Sequence, residues 1–175
     1  MNFIGIDLSL SDTGVCVYEF AENTHHVFSI KTKSNLFDSS RIDDCVSELL
    51  EIFMQHLSRD SIVAIEDQLY SAHTQGKSTA RAELAGVVKK LIRDEFSCGY
   101  YLVPPTSLKK FTCGTSYHID KVKMKEHVEL KYGYTHKNNN IIDAVALAHF
   151  GVAIFNKEIV GNFTRNNSRN QLQTP

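Results

Sequence analysis

The sequence is short of several residue types, and each shortage excludes a class of protein. Its 175 residues include no tryptophan, three prolines and four cysteines. The cysteines, at positions 16, 45, 98 and 113, form no C-x-x-C pair, which argues against a zinc knuckle and fits reduced, core-filling thiols. No apolar run is long enough to cross a bilayer, and the first residues lack the basic-then-apolar pattern of a signal peptide. We therefore expect no membrane association and a protein that stays in the reducing compartment where it is made.

A strong net charge is also missing. The 19 basic and 20 acidic side chains nearly cancel, so the global charge predicts no polyanionic partner. The charge is unevenly distributed, because seven lysines lie from position 109 to position 137 against three acids. Such a local excess can neutralise phosphates, and a solvated helix face is the alternative interpretation.

What is present fits one α/β domain. Apolar patterning predicts strands at 3–8, 14–20, 25–33, 61–66 and 100–103, and helices at 42–57, 84–96, 121–131 and 141–155. Ser40 and Asp43 resemble a capping box for the first helix, and residues 71–78 read as a polar loop. We expect one domain over residues 1–158 and a flexible polar tail over 159–175.

The order of these elements predicts the topology of the sheet. Three strands come first, and the later strands alternate with helices, which favours an antiparallel meander continued by right-handed crossovers. In such mixed sheets, ligands usually bind near the carboxyl ends of the strands.

Three acids stand at the edges of apolar segments. Asp7 follows a run ending in Ile6, Glu66 ends the fourth strand, and Asp143 opens the last apolar helix. Burying an ionised carboxylate is costly unless a partner compensates its charge. Three such acids on three elements suggest one shared partner, and a divalent metal ion is the simplest candidate.

Each acid also has a structural interpretation. Asp7 can be a buried acid that caps a turn, and Asp143 can be a first-turn acid that favours the helix dipole. Glu66 can be an ordinary strand-end acid with Asp67 as the functional one. We favour Glu66, because its side chain alternates onto the same face as the buried residues two and four positions earlier.

Four segments together resemble the RuvC family of Holliday-junction resolvases, within the ribonuclease H-like superfamily. They are Phe3-Ile4-Gly5-Ile6-Asp7 followed by Thr13-Gly14, then Ala64-Ile65-Glu66, the stretch from Pro105 through Lys121, and Asp143 through Ala148. The resemblance covers roughly residues 1–155 and rests on the order and spacing of the segments. It implies a ribonuclease H-like, five-stranded mixed sheet flanked by helices.

The resemblance also implies a metal site. Asp7, Glu66 and Asp143 would hold two Mg²⁺ ions, with Mn²⁺ able to substitute. One helical turn before the last acid the family has a further ligand, Asp or His, and this chain has Asn140. Its amide oxygen can still coordinate a hard cation but brings no negative charge. The affinity for a second ion is therefore open. Asn140 can be natural, can be compensated by nearby His136, or can be an engineered loss of activity.

Further residues would contact DNA. Lys109 and Lys121 match the active-site lysines of the family in position, and we expect Lys110 and Lys123 to contact DNA beside them, with solvated surface lysines as the alternative. Tyr70 resembles the aromatic residue that stacks on bases at the junction centre, and a packing residue is its alternative role.

The implied function is resolution of four-way DNA junctions by two-metal phosphodiester hydrolysis. Paired symmetric nicks need two active sites, and a homodimer provides them. The implied setting is a bacterial or phage-infected cytoplasm, with an organellar or other viral origin left open. The alternatives are a flap or fork nuclease, a junction-binding protein with weak or no cleavage, and an actin-like or sugar-kinase-like phosphotransferase. The last needs two duplicated domains, for which 175 residues are too few.

Overall fold

A mixed β-sheet with helices on both faces forms the centre of the protein. This computed structural model describes residues 1–67, 75–157 and 165–166. The strands are β1 (Asn2–Asp7), β2 (Asp12–Glu19), β3 (Thr24–Lys31), β4 (Ile62–Glu66), β5 (Tyr100–Val103) and β6 (Arg165–Asn166). The helices are α1 (Asp38–His56), α2 (Gln75–Asp94), α3 (Pro105–Cys113), α4 (Lys121–Tyr132) and α5 (Asn139–Phe155). Within the described residues, none of the helices combines the length and apolar character that a membrane span requires.

The strand order is β3-β2-β1-β4-β5-β6. β1, β2 and β3 form the predicted antiparallel meander, whereas β1 pairs with β4 and β4 with β5 in parallel. The first five strands in this order confirm the predicted five-stranded mixed sheet. The two-residue β6 pairs antiparallel with β5, inside the segment that we predicted as a polar tail.

The alternation of side chains along the strands divides the core between the two faces of the sheet. Ile4, Ile6 and Ile65 pack on one face against α1 and α2. Phe3 and Ala64 point to the other face, where they pack with residues of α3, α4 and α5. The central strands therefore have two buried faces, which explains their nearly continuous apolar sequences.

Two glycines let α5 lie directly on the sheet. A Cβ atom at Gly5 of β1 would lie 1.9 Å from the carbonyl oxygen of Ala144, and one at Gly14 of β2 would lie 2.2 Å from that of Asn140. Any side chain at either position would push α5 away from the sheet. Gly14 pairs with Asp7 across the first two strands, so the close approach brings the start of α5 next to Asp7.

The helix boundaries contain the main errors of prediction. The capping box is wrong: α1 begins at Asp38 with Phe37 as its N-cap, and no side chain caps it. Near this start, Arg41 donates to Asp38 on its own helix and to Thr32 before it. Residues 75–78, which we predicted as loop, belong to α2, and residues 71–74 lie outside the described residues.

The helix α3 was not predicted at all. Pro104 and Pro105 read as the end of a strand, but proline is also favourable at the first position of a helix, because its missing N–H has no helical partner there. Pro105 occupies that position, and Gly114 ends the helix in the left-handed conformation. Lys109 therefore lies on a helix rather than on a connecting loop.

Candidate metal and nucleic-acid site

The three predicted acids meet at one edge of the sheet. Asp7 ends β1 and Glu66 ends β4, and these strands are parallel neighbours. Both side chains point to the face covered by α5, because Asp7 alternates with Gly5 and Glu66 alternates with Ala64. Asp143 approaches the same edge from the second turn of α5. We call these three acids the carboxylate cluster.

Burial and mutual repulsion raise the pKa of all three carboxyl groups. Asp7 is only 8% exposed, and burial, followed by the charge of Glu66, raises its pKa to about 7. Burial, followed by the charge of Asp7, raises the pKa of Asp143 to about 7. The pKa of Glu66 is raised by burial and by Asp143, although a hydrogen bond with Asp7 opposes this. Burial and mutual repulsion thus both favour the protonated form of these carboxyl groups when no cation is bound.

Three cations surround the carboxylate cluster and partly offset its charge. Lys121, the first residue of α4, lowers the pKa of both aspartates of the cluster, and Lys109 lowers that of Glu66 and Asp143. Arg81 acts in the same direction on Asp7 and Glu66. The cluster therefore combines buried acids with nearby positive charge, an arrangement typical of functional sites.

A cavity of about 380 Å³ opens beside the carboxylate cluster, and we call it the lysine cleft. It is lined by Glu66, Pro105, Lys109, Ile119, Asp120, Lys121, Met124, Asn139, Ile142 and Asp143. The Nζ atom of Lys109 donates to the carbonyl oxygen of Ile119 at 3.1 Å, which holds the α3–α4 connection against α3. Both predicted active-site lysines thus face the same cavity as two of the acids.

The side chain of Asn140 serves the fold through its amide nitrogen. Nδ2 donates to the main-chain carbonyl of Asp12, and the main-chain N–H of Asn140 donates to Oδ1 of Asn138 at 3.0 Å. His136, named above as a compensating ligand, accepts the N–H of Asn138 on Nδ1 at 3.0 Å. Both residues therefore shape the start of α5, and it is Asn139 that lines the lysine cleft.

Several alternative interpretations can be compared with this geometry. Asp67 does not line the lysine cleft, and its main-chain N–H continues the pairing with β5 by donating to Val103 at 2.8 Å. Asp143 is not a first-turn acid, since the first turn of α5 contains none. The helix-dipole interpretation of Asp143 is therefore wrong. Tyr70 lies outside the described residues.

The remaining predicted DNA-binding lysines lie near the lysine cleft without lining it. Lys110 is exposed on α3, one residue after Lys109. Lys123 is exposed on α4 and donates from Nζ to the carbonyl oxygen of His118 at 3.3 Å. Their roles in binding DNA stay predictions.

Arg81 is the site residue that the sequence analysis missed. It lies in the second turn of α2, a helix that starts at the sheet edge where β4 ends. A signal was present: a basic residue early in a crossover helix lies near the acid that ends the preceding strand. The signal was missed because the helix was predicted to begin at Leu84, after Arg81, whereas α2 begins at Gln75.

The chemistry of the carboxylate cluster fits a hard divalent cation. Mg²⁺ and Mn²⁺ prefer carboxylate oxygens, and a bound cation would remove the repulsion that raises the three pKa values. Within the described parts of the chain, no three acidic, histidine or cysteine side chains are grouped tightly enough to surround one ion as they stand. Ion binding would therefore require the three carboxyl groups to lose protons and to move closer around the ion.

Comparison with known proteins agrees with this architecture. The sequence matches no family model and no curated protein. The sheet order and flanking helices define a ribonuclease H-like α/β fold, as predicted.

Within that class the structure is similar to Thermus thermophilus RuvC, with a TM-score of 0.67 and 20% identity over 89% of this chain and 97% of that chain. A structure of T. thermophilus RuvC in complex with Holliday junction substrate matches with a TM-score of 0.66 and 18% identity, over 89% and 96% of the two chains. The chain therefore has the fold of RuvC.

Proposed function

We propose that this protein is a metal-dependent endonuclease that resolves four-way DNA junctions. The observation that carries the proposal is the carboxylate cluster beside a lysine-lined cleft, at the sheet edge of a RuvC fold. The similar protein bound to Holliday junction substrate supports the choice of substrate. Two copies of the chain would place two such sites on one junction and make paired nicks.

In this proposal each side chain has a definite task. Asp7, Glu66 and Asp143 would hold Mg²⁺. When bound, the ions would supply water activation and stabilise charge on the reacting phosphate. Lys109 and Lys121 bind the phosphate in the lysine cleft and offset the charge that grows on it.

Asn140 supports a second candidate, a junction-binding protein with weak or no cleavage. Its amide brings no negative charge to the carboxylate cluster, and its nitrogen is engaged by Asp12. With Asn140 the site has three negative charges, whereas an acid at that position would provide a fourth. A second metal ion would therefore be less well compensated here. DNA binding would persist in that case, because it depends on the lysines.

Cleavage of a DNA panel tests the proposal. A four-way junction, a flap, a fork and a duplex are incubated with the protein in Mg²⁺ and in Mn²⁺, and the products are mapped on each strand. We expect paired symmetric nicks confined to the four-way junction. Cutting of flaps and forks as well would favour the broader branched-DNA nuclease, and binding without product would favour the second candidate.

The Asp7→Asn variant is the control for the chemistry. We expect its cleavage rate to fall by at least about 100-fold, since the removed carboxylate is a proposed metal ligand. Asp44→Asn, an exposed acid on α1, should cleave as the parent does. Cleavage by Asp7→Asn at the parent rate would show that the metal-site assignment is wrong.

A further inference from the structure

A second cavity at the same sheet edge has no part in the chemistry proposed above. It has a volume of about 290 Å³, and we call it the arginine notch. It is lined by Ser9, Leu10, Ser11, Asp38, Arg41, Ala80 and Arg81. The serines belong to the turn that directly follows Asp7, and the two arginines come from α1 and α2. The helices that line the notch pack on one face of the sheet, and the helices that line the lysine cleft pack on the other.

The serine turn is held in one conformation. The hydroxyl of Thr13 donates to the carbonyl oxygen of Ser9 at 2.7 Å and accepts the main-chain N–H of Ser9 at 3.0 Å. The two hydroxyl oxygens of Ser9 and Ser11 are 3.2 Å apart. The hydrogen bond between the two serines uses one of their hydroxyl protons, so the pair can donate the other one to a ligand at the notch.

The two arginines of the notch differ in role. Arg41 is largely buried and donates from Nε to Thr32 at 2.9 Å, from Nη2 to the carbonyl of Leu10 at 3.1 Å and from Nη1 to Asp38 at 3.3 Å. It holds the serine turn against α1, and Asp38 offsets its charge. Arg81 is exposed and brings the second positive charge of the notch.

The position of Arg81 connects the notch to the carboxylate cluster. Its guanidinium is close enough to Asp7 and Glu66 to lower the pKa of both carboxyl groups. Arg81 also lines the notch beside the serine turn, whereas Lys109 and Lys121 line the lysine cleft. Its planar fork of donors is suited to a phosphate group.

We propose that the arginine notch binds a backbone phosphate of the DNA strand, adjacent to the phosphate held at the carboxylate cluster. This inference rests on the proposed function and adds a substrate contact to it. Arg81 supplies charge and donors, and the Ser9–Ser11 pair adds a hydroxyl donor. A DNA strand that crosses the sheet edge is then held on both sides of the acids. This determines which phosphodiester linkage faces the acids.

Binding of a fluorescent four-way junction in EDTA tests the notch without requiring cleavage. We expect Arg81→Gln to bind about tenfold more weakly and to lower the slope of log affinity against log salt by about one. Arg81→Lys, which keeps the charge, should recover most of the affinity. The matched control is Arg93→Gln, an arginine three turns later on α2, which should bind within about twofold of the parent.

Single methylphosphonate linkages locate the contact. Each removes the charge of one phosphate, so the parent protein should lose affinity at the linkage that enters the notch. Arg81→Gln should be insensitive to that same linkage and remain sensitive to the others.

If Arg81→Gln binds like the parent and responds to every linkage as the parent does, the notch proposal is overturned while the proposed function stands. If the parent itself binds no branched DNA, both are overturned.

Discussion

The two ends of the sheet both bury ionisable side chains, with opposite chemistry. At one end lies the carboxylate cluster. At the other end His25 of β3 and His149 of α5 contact each other with their Nε2 atoms 2.8 Å apart. The helix α5 contributes to both ends, since it carries Asp143 near its start and His149 two turns later.

We call the end with His25 and His149 the imidazole end, and the end with the carboxylate cluster the carboxylate end. At the imidazole end, aromatic rings pack around the two histidines. His149 stacks on Tyr132 with ring centroids 3.9 Å apart and an angle of 3° between the planes, and Tyr18 lies 4.5 Å from His149. Burial, followed by the neighbouring charge of His25, lowers the pKa of His149 to about 4. The pKa of His25 is also lowered, chiefly by burial. Both rings are therefore neutral at physiological pH.

The difference between the two ends shows how burial affects ionisable side chains that have a hydrogen-bond partner and those that repel one another. Burial disfavours charge at both ends, so the acids gain protons and the imidazoles lose them. The imidazole pair is satisfied by its own hydrogen bond and by stacking. The carboxylate cluster keeps strong repulsion beside an open, lysine-lined cleft, and a cation from solution is what would relieve it.

The largest expected loss of stability comes from a substitution that pushes α5, the helix that contributes to both ends, away from the sheet. In Gly5→Ala the new Cβ would lie 1.9 Å from the carbonyl oxygen of Ala144 and 2.5 Å from the nitrogen of Ala148. Both contacts are main-chain atoms of α5, so the helix must shift. We expect urea denaturation to show a loss of at least about 3 kcal/mol in the free energy of unfolding.

Gly151→Ala is the matched control for this loss. It adds the same methyl group to α5 where the nearest neighbour, Cγ2 of Ile62, is 3.4 Å away. We expect it to be neutral or stabilising by up to about 1 kcal/mol, because alanine has the higher helix propensity. Equal stability of the two variants would contradict the close packing of α5 on β1.

A smaller effect follows from adding a fourth acid to the carboxylate end. Asn140→Asp removes the amide that donates to the carbonyl of Asp12 and places a charge near Asp143. Without metal at pH 8 we expect a loss of about 1 to 3 kcal/mol in the free energy of unfolding. If position 140 is a metal ligand, Mn²⁺ should recover the lost stability, and the substitution should change the metal dependence of cleavage.

Asn139→Asp separates charge from hydrogen bonding in that experiment. It adds the same charge one residue earlier, where the side chain lines the lysine cleft, and leaves the bond from Asn140 to Asp12 intact. It should be less destabilising than Asn140→Asp. Unchanged metal dependence and rate in Asn140→Asp would show that Asn140 is not a metal ligand.

The smallest effect is a pair of opposed pH dependences. Asp7 titrates near pH 7 when folded and near 3.8 when unfolded, so between these values the folded state holds a proton that the unfolded state has lost. Stability from Asp7 therefore falls as pH rises through this window. His149 titrates near pH 4 when folded and 6.5 when unfolded, so its contribution falls as pH decreases from 6.5 to about 4.

Two variants separate these contributions. In urea denaturation with EDTA between pH 5 and 6.5, Asp7→Asn should lose stability on acidification more steeply than the parent. His149→Phe, which keeps a ring for stacking, should lose less or gain. Each slope difference is at most about 1.4 kcal/mol per pH unit for one proton. Identical slopes in all three proteins would disprove the contrast between the two ends.

The parts of the fold that depend on local patterns were predictable. Asp7 near the end of one predicted strand, Glu66 at the end of another and a strand order that continues through crossovers were enough to predict that the acids could converge, and the parallel pairing of β1 with β4 agrees with this. The register of α5 was not predictable in this way, because it depends on the space that Gly5 and Gly14 leave. Neither glycine signals, in the sequence, which helix it will contact.

Residues far apart in the chain account for the rest. The partners of the imidazole end, His25 and His149, are 124 residues apart and carry no shared motif. Asn140 was considered as a metal ligand, but its bond to Asp12 spans 128 residues. Arg81 was missed because the predicted start of α2 lay after it. In each case the role is set by tertiary contacts, which a single sequence does not encode locally.

Binding of Mn²⁺, followed by electron paramagnetic resonance, tests the central claim most directly. Because Asp7 and Asp143 titrate near pH 7, the parent should bind Mn²⁺ at pH 8, bind it at least about tenfold more weakly at pH 6, and release it to excess Mg²⁺. Asp7→Asn should weaken binding at pH 8 by at least about tenfold, and Asp44→Asn should leave it unchanged. Equal Mn²⁺ binding by the parent and Asp7→Asn would contradict the assignment of the carboxylate cluster as a metal site.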